Sequence, residues 1–234
     1  AEGSSAIFAR GGNLGNNLIT LDGVRIYGYS HLLGLASSIP SGAISSMDFC
    51  LGGFEGEQGG LTASHISLRT PDIISASGGE VSVSNSFVSA VASAPFAKEK
   101  ASVLVSGRWS PFSLEYNLLK NSFDKDGRMP SLSLNVFDLF AKAAWRVSPA
   151  DEVSLTGFYS GDDYSIGLPD ADYMPDWKNI TGHLAYRHTA GNTVIYVDAS
   201  YNFFRNNMVH LANMNGKESR FRRCLAYRCR SGNR

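Results

Sequence analysis

The chain has 234 residues, no net charge from 21 basic and 21 acidic side chains, 24 glycines, and only 18 % charged residues. Sparse charge with plentiful Gly, Ser and aromatic residues favours β-structure with many turns over a helical bundle. No run approaches the ~18–20 consecutive apolar residues of a membrane-spanning helix, which excludes that element but not a membrane barrel, whose strands alternate apolar and polar residues.

The first eight residues carry neither a basic start nor an apolar core of signal length. If the protein is exported, its signal is expected to have been removed or to lie upstream. The first ~75 residues read as short strands punctuated by glycines. Residues 17–21 form a brief apolar run that meets Asp22-Gly23 and resumes at 24–27. Asp-Gly between two β-prone runs predicts a hairpin, because a tight primed turn needs positive φ at both central residues. Residues 30–38 fit either a short helix or an irregular loop. Residues 44–51 alternate, with Met47, Phe49 and Leu51 opposite Ser46, Asp48 and Cys50. Cys50 is expected to be a small buried residue of that strand. The run ends at Gly52-Gly53, and Gly59-Gly60 precedes a further strand over 64–70. Paired glycines after strands mark sharp bends or close backbone approach.

From residue 79 the rhythm changes to longer strands in hairpins, six in number: about 79–91, 101–109, 133–147, 152–160, 177–188 and 193–203. In the second, Ala101, Val103, Val105, Gly107 and Trp109 oppose Ser102, Ser106 and Arg108. In the third, Phe137, Leu139, Ala141, Ala143, Trp145 and Val147 oppose Asp138, Lys142 and Arg146. In the sixth, Ile195, Val197, Ala199, Tyr201 and Phe203 oppose Tyr196, Asp198 and Ser200. Short connections at 95–100, 148–151 and 189–192 alternate with long polar loops at 110–130 and 161–176. That is the sidedness of outer-membrane barrels, with tight turns on one side and extended loops on the other. Aromatics gather near strand ends (Trp109, Trp145, Tyr159, Trp177, Tyr201), where interfacial girdles would lie. The alternative architecture is an antiparallel sandwich, serving as a soluble or surface-attached binding module for carbohydrate or protein.

An ordered series of residues resembles the plug domain of TonB-dependent receptors, particularly the Bacteroidetes-type form. It comprises Arg10-Gly11-Gly12, residues 17–24 ending in Leu21-Asp22-Gly23-Val24, Tyr27 and 31–35, then Ala43-Ile44, residues 47–51, Gly52-Gly53-Phe54, Gly59-Gly60 and 66–70. Gly79-Glu80-Val81-Ser82-Val83 resembles the family's entry into its barrel, and residues 103–108 resemble an early barrel strand. The resemblance implies a mostly β fold: a small α+β plug over 1–75, N-terminally incomplete, followed over 76–216 by the beginning of a transmembrane antiparallel β-barrel. It implies energy-coupled uptake of a substrate across the cell outer membrane, with the plug gating the lumen. The implied partners are outer-membrane lipid, a TonB-type energy-transducing protein, and a small-molecule or oligomeric ligand of unspecified identity. The family's partner-binding segment and earlier plug strands precede Arg-Gly-Gly, whereas nine residues precede Arg10 here. Six strands cannot close around a plug, so the chain is expected to be a fragment unable to transport by itself.

Candidate plug residues for structure and gating are Arg10, Gly11, Gly12, Asp22, Gly23, Gly52, Gly53, Gly59 and Gly60, with Arg10 expected to pair with a carboxylate of the lumen wall. Residues 217–234 hold Lys217 and six arginines against Glu218, a balance of +6. This segment reads as a basic tail unlike the family, either genuine or the product of a disrupted reading frame. It lacks a stacking platform or motif, so no nucleic-acid partner is expected. Cys224 and Cys229 lack the companions of a zinc site. The five histidines are scattered, with His183 and His188 on opposite strand faces. Asp124-Lys125-Asp126-Gly127 lacks the remaining ligands of a calcium loop. No nucleophile–base constellation is present, so neither catalysis nor a cofactor or metal is expected.

Overall fold

The computed structural model describes residues 17–28, 30–31, 34, 36–52, 64–124, 129–168, 171–214 and 217–231. Strand β1 (Asn17–Leu21) turns at Asp22-Gly23 into β2 (Val24–Arg25), with φ of +48° and +86° at the two turn residues and Leu21 opposite Val24. This is the left-handed backbone that a tight primed turn demands and that Asp and Gly tolerate. The stretch left open as helix or loop holds a miniature hairpin, β3 (Ser30–His31) against β4 (Ala36–Ser37), followed by a 3₁₀ turn at Ser41–Ala43. Strand β6 (Ser64–Arg69) lies parallel to β1 and antiparallel to β5 (Ser46–Cys50), giving the order β2-β1-β6-β5. Ile19, Leu21, Ile26, Ala43, Ile66 and Leu68 are buried together in the small core this sheet builds. Strand β5 has a sheet neighbour on one side only. Its apolar residues Met47 and Phe49 are exposed, and Cys50 is half-buried rather than buried.

A second, eight-stranded antiparallel meander follows: β7 (Gly78–Val83), β8 (Val88–Phe96), β9 (Ala101–Trp109), β10 (Ser131–Arg146), β11 (Asp151–Leu168), β12 (Ala171–Ala190), β13 (Thr193–Met214) and β14 (Lys217–Ser231). The sheet is open, with β7 and β14 at its edges. Three expectations are corrected here. The first long strand is instead the hairpin β7–β8, bent where Ser84 bonds back to Phe87 through both backbone and hydroxyl. The polar stretch 161–176, read as a loop, is mostly strand. Asp176 there finds cross-strand partners in Arg205 at 3.2 Å and Asn207 at 3.1 Å. The segment read as a basic tail pairs with β13 from Lys217 to Ser231, so with the split of the first strand the described meander has eight strands rather than six. The 110–130 connection contains helix α1 (Phe112–Phe123). The Ser113 hydroxyl meets both the backbone N–H and the carbonyl of Leu134, beyond the point where β9 ends beside β10.

The two faces of the large sheet differ in chemistry. Five successive outward rungs across β10–β13 are Phe137–Gly161–Lys178–Arg205, Leu139–Tyr159–Ile180–Phe203, Ala141–Gly157–Gly182–Tyr201, Ala143–Leu155–Leu184–Ala199 and Trp145–Val153–Tyr186–Val197. Four of them are apolar or aromatic throughout, and the first is changing over. The rung beyond it, Asn135–Asp163–Asp176–Asn207, is wholly polar, and Asp151 and His188 close the other end. About nine residues of tilted strand rise roughly 20–25 Å, the height of the apolar belt of an outer-membrane barrel. This outward face is bare: Leu139 is 43 % exposed, Leu155 59 % and Trp145 54 %. The inward face carries Asp138, Lys142, Thr156, Ser160, Asp162, Asn179, Thr181, His183 and Asn202, all buried. Polar inside and apolar outside inverts the pattern of a protein dissolved in water. A sandwich would instead bury its apolar face against a second sheet, and no such layer lies on it among the described residues.

Candidate functional site: the contact between plug and wall

The inward face of the meander (the wall) holds the small sheet (the plug) through three kinds of tie. The first centres on His31 of β3, whose side chain is fully buried. Its Nε2 lies 2.8 Å from Asp138 Oδ1 on β10, and its Nδ1 meets Asp162 Oδ1 on β11. Arg108 of β9 grips Asp138 with Nε at 2.7 Å and Nη2 at 2.6 Å, and also donates to the carbonyl of Ser37 on β4. The Tyr164 hydroxyl donates to Asp162. Trp177 stacks on the imidazole with ring centres 5.2 Å apart. Burial on its own pulls the His31 pKa down; the hydrogen bonds and charges of Asp138 and Asp162 outweigh it, and the pKa is raised above the ordinary histidine value.

The second tie is an ion pair nearer the short-turn end. Lys142 Nζ reaches Asp22 Oδ2 at 3.3 Å and donates to Thr70 Oγ1 at 2.9 Å. Thr70 in turn donates to Asp22 through its hydroxyl at 2.6 Å and its backbone N–H at 2.8 Å. The Asp22 carboxylate therefore staples the β1–β2 turn to the end of β6 and presents that joint to the wall. Beside it lies a cavity of about 900 Å³ between the plug turn and β10–β13, lined by polar pairs that include the ion pair of Glu152 with Arg187 and the contact of His183 with Asp198.

The third tie uses wall amides as donors to plug carbonyls. Asn179 Nδ2 reaches the Tyr27 carbonyl at 2.9 Å, and Asn202 Nδ2 bonds the Arg25 carbonyl. Tyr27 stacks on Phe204 at 5.7 Å, and Ile74 N–H donates to Ser102 Oγ at 3.0 Å. A buried apolar patch adds to these ties, where Leu104, Phe140 and Phe158 of the wall join the plug core. Gly28 passes so close to this seam that a Cβ would lie 2.7 Å from Phe204 and 2.9 Å from Trp177, and its φ is +61°. Gly28→Ala is therefore expected to weaken plug seating by at least about 1–2 kcal/mol, the cost of a left-handed residue before any clash. Gly157→Ala, where a Cβ would meet open space, should leave it unchanged. Urea titration of plug unfolding checks both.

Of the candidate residues read from the sequence, Asp22 and Gly23 form the turn at the Lys142 joint, and Gly52 follows β5 with φ +112°. Arg10, Gly11, Gly12, Gly53, Gly59 and Gly60 lie outside the described residues, as do Lys125, Asp126 and Gly127. The expected plug–wall ion pair involved Arg10. The pairs observed run from Asp22 to Lys142 and from His31 to Asp138 and Asp162, so here the wall supplies both signs of charge.

No family model matches the sequence, and no curated protein matches it either. Among solved structures, the siderophore receptor PirA from Acinetobacter baumannii superposes over 91 % of this chain with a TM-score of 0.50 at 13 % identity. The chain has the fold of part of that receptor. The chain spans 41 % of the length of PirA, so the match is to part of a plug and part of a barrel. A ferric enterobactin receptor (PfeA) mutant from Pseudomonas aeruginosa overlays 93 % of the chain at 12 % identity with a TM-score of 0.46.

The residues that seat the plug in this receptor fold were only half visible in the sequence. Asp138 and Lys142 stood out as charges opposite an apolar strand face, which is the signature of a lumen-facing position. His31 carried no such signal, and Asp162 was hidden in a stretch taken for a loop.

Proposed function

We propose that this chain is the plug and early wall of a receptor that takes up a substrate across the outer membrane by energy-coupled displacement of the plug. The supporting observation is the inverted wall: a nine-residue apolar belt facing out, and a buried polar face that meets the plug mainly through exchangeable hydrogen bonds and ion pairs. Such a contact suits an element that has to stay seated yet move, because broken polar ties find water as a substitute partner, unlike an interlocked apolar core. The belt favours lipid as the outer neighbour, over the second sheet a sandwich would need. The reading is of a receptor and not an enzyme. PirA is a siderophore receptor by name, which makes ferric siderophores the first substrate class to try.

The test uses cells producing the receptor in its native reading frame. The chain should fractionate with the outer membrane and resist alkaline extraction. Cells should accumulate ⁵⁵Fe supplied as ferric siderophore, and a protonophore should stop it. Recovery of the chain as a soluble protein would overturn the membrane reading. Accumulation that survives the protonophore would overturn energy coupling.

A further inference from the structure

The His31 cluster contains a feature that plug seating alone does not require. Both ring nitrogens face carboxylate oxygens, Nε2 toward Asp138 and Nδ1 toward Asp162. A neutral imidazole has one N–H and one lone pair, so it cannot donate to both. With both carboxylates ionised, only the imidazolium satisfies the geometry. Charge counting among the described residues agrees: with His31 protonated, His31 and Arg108 balance Asp138 and Asp162, whereas loss of the proton removes one of those two positive charges and aims a lone pair at a carboxylate. Among the described residues, the remaining neighbours of the ring are uncharged. Tyr164 donates to Asp162, Ser160 Oγ stands 3.4 Å from Nε2, and Trp177 and Phe87 flank the ring. The other ties from wall to plug run through Asn179, Asn202, Ser102 and the Lys142–Asp22 pair. Histidine alone among side chains ordinarily changes charge near neutral pH.

We propose that His31 is a proton-operated latch between plug and wall, closed as the doubly donating imidazolium and released when one ring proton passes to solvent. The chemistry stands on the cluster itself; its consequence for uptake rests on the plug-gating reading above. Because the seated pKa is raised, the latch contributes in full below the ordinary histidine value near ~6.5 and is lost as pH rises through the raised one. Between those limits the equilibrium for plug opening should rise about tenfold per pH unit, and it should be flat on either side.

Hydrogen–deuterium exchange of the plug amides in the receptor embedded in outer-membrane vesicles tests this, across pH 5 to 9 and corrected for intrinsic rates. Wild-type protection over residues 17–31 should step down with rising pH, and His31→Gln should abolish the step. Asp162→Asn keeps an acceptor for Nδ1–H but removes one of the two charges favouring the imidazolium. It should move the step to lower pH, and it provides the test should His31→Gln fail to fold. Wild-type protection without a step, or a step unmoved in Asp162→Asn, would overturn the latch whatever the uptake assay gives. A step that moves as stated, in a receptor whose uptake ignores the protonophore, would establish the latch while removing the gating reading.

Discussion

Leu139→Arg should destabilise the wall by about 2–4 kcal/mol in a bilayer, while the same change in detergent-free aqueous buffer should cost no more than about 0.5 kcal/mol. Leu139 lies in the middle of β10 on the bare outward face, in the rung it shares with Tyr159, Ile180 and Phe203. In water a 43 % exposed leucine is an ordinary surface position and arginine replaces it freely. In hydrocarbon the guanidinium has no partner on that rung and must drag water or headgroups inward to stay charged. Asn135→Arg, two rungs outward in the polar row, is the depth control and should cost at most about 1 kcal/mol in lipid. Folding into vesicles monitored by urea titration separates the cases. Equal costs for the two arginines would sink the membrane reading of the belt.

Asp138→Ala should unseat the plug by about 3–5 kcal/mol, the usual cost of removing one partner from a buried ionic network. The carboxylate is almost wholly buried and joins two elements at once, the imidazole of His31 and the guanidinium of Arg108. Its loss strands Arg108 beside an apolar gap and takes away one of the two acceptors that hold His31 charged. His31 can shed its proton in response, which favours the lower end of the range. Asp163→Ala, on the exposed outward face of β11, should change stability by less than about 0.5 kcal/mol. The comparison is made on plug unfolding in urea at pH 6. An Asp138→Ala effect as small as that of Asp163→Ala would mean the cluster contributes nothing to seating.

The sequence made the sheet's faces readable because alternation has period two and survives whatever lies beyond the strand. The apolar and polar faces of β9, β10 and β13 fell as their patterns required, and Asp22-Gly23 turned where a primed turn needed it. Strand ends were misjudged for a physical reason. The apolar signal stops where the belt stops, at Tyr159 and Ile180, while backbone pairing continues to Leu168 and from Ala171 among polar residues whose partners are on the next strand. The same blindness made Lys217–Ser231 look like a tail. The seating cluster was illegible because it joins residues 31, 108, 138 and 162, whose proximity exists only after the plug has docked.

The unequal strand lengths have a geometric result. Strand β13 spans 22 residues and β7 only 6, while the apolar belt needs about nine. Past Phe203, β13 runs on through Met214, which with the belt in lipid as proposed would lift it, at the usual tilt, roughly 25 Å clear of the hydrocarbon. The arc is thus a ramp, low at β7 and tall at β13, and one flank of the lumen would stand in the outside water as a parapet. In the proposed receptor, a solute approaching from that side would meet a surface of paired strands before it met either lipid or plug.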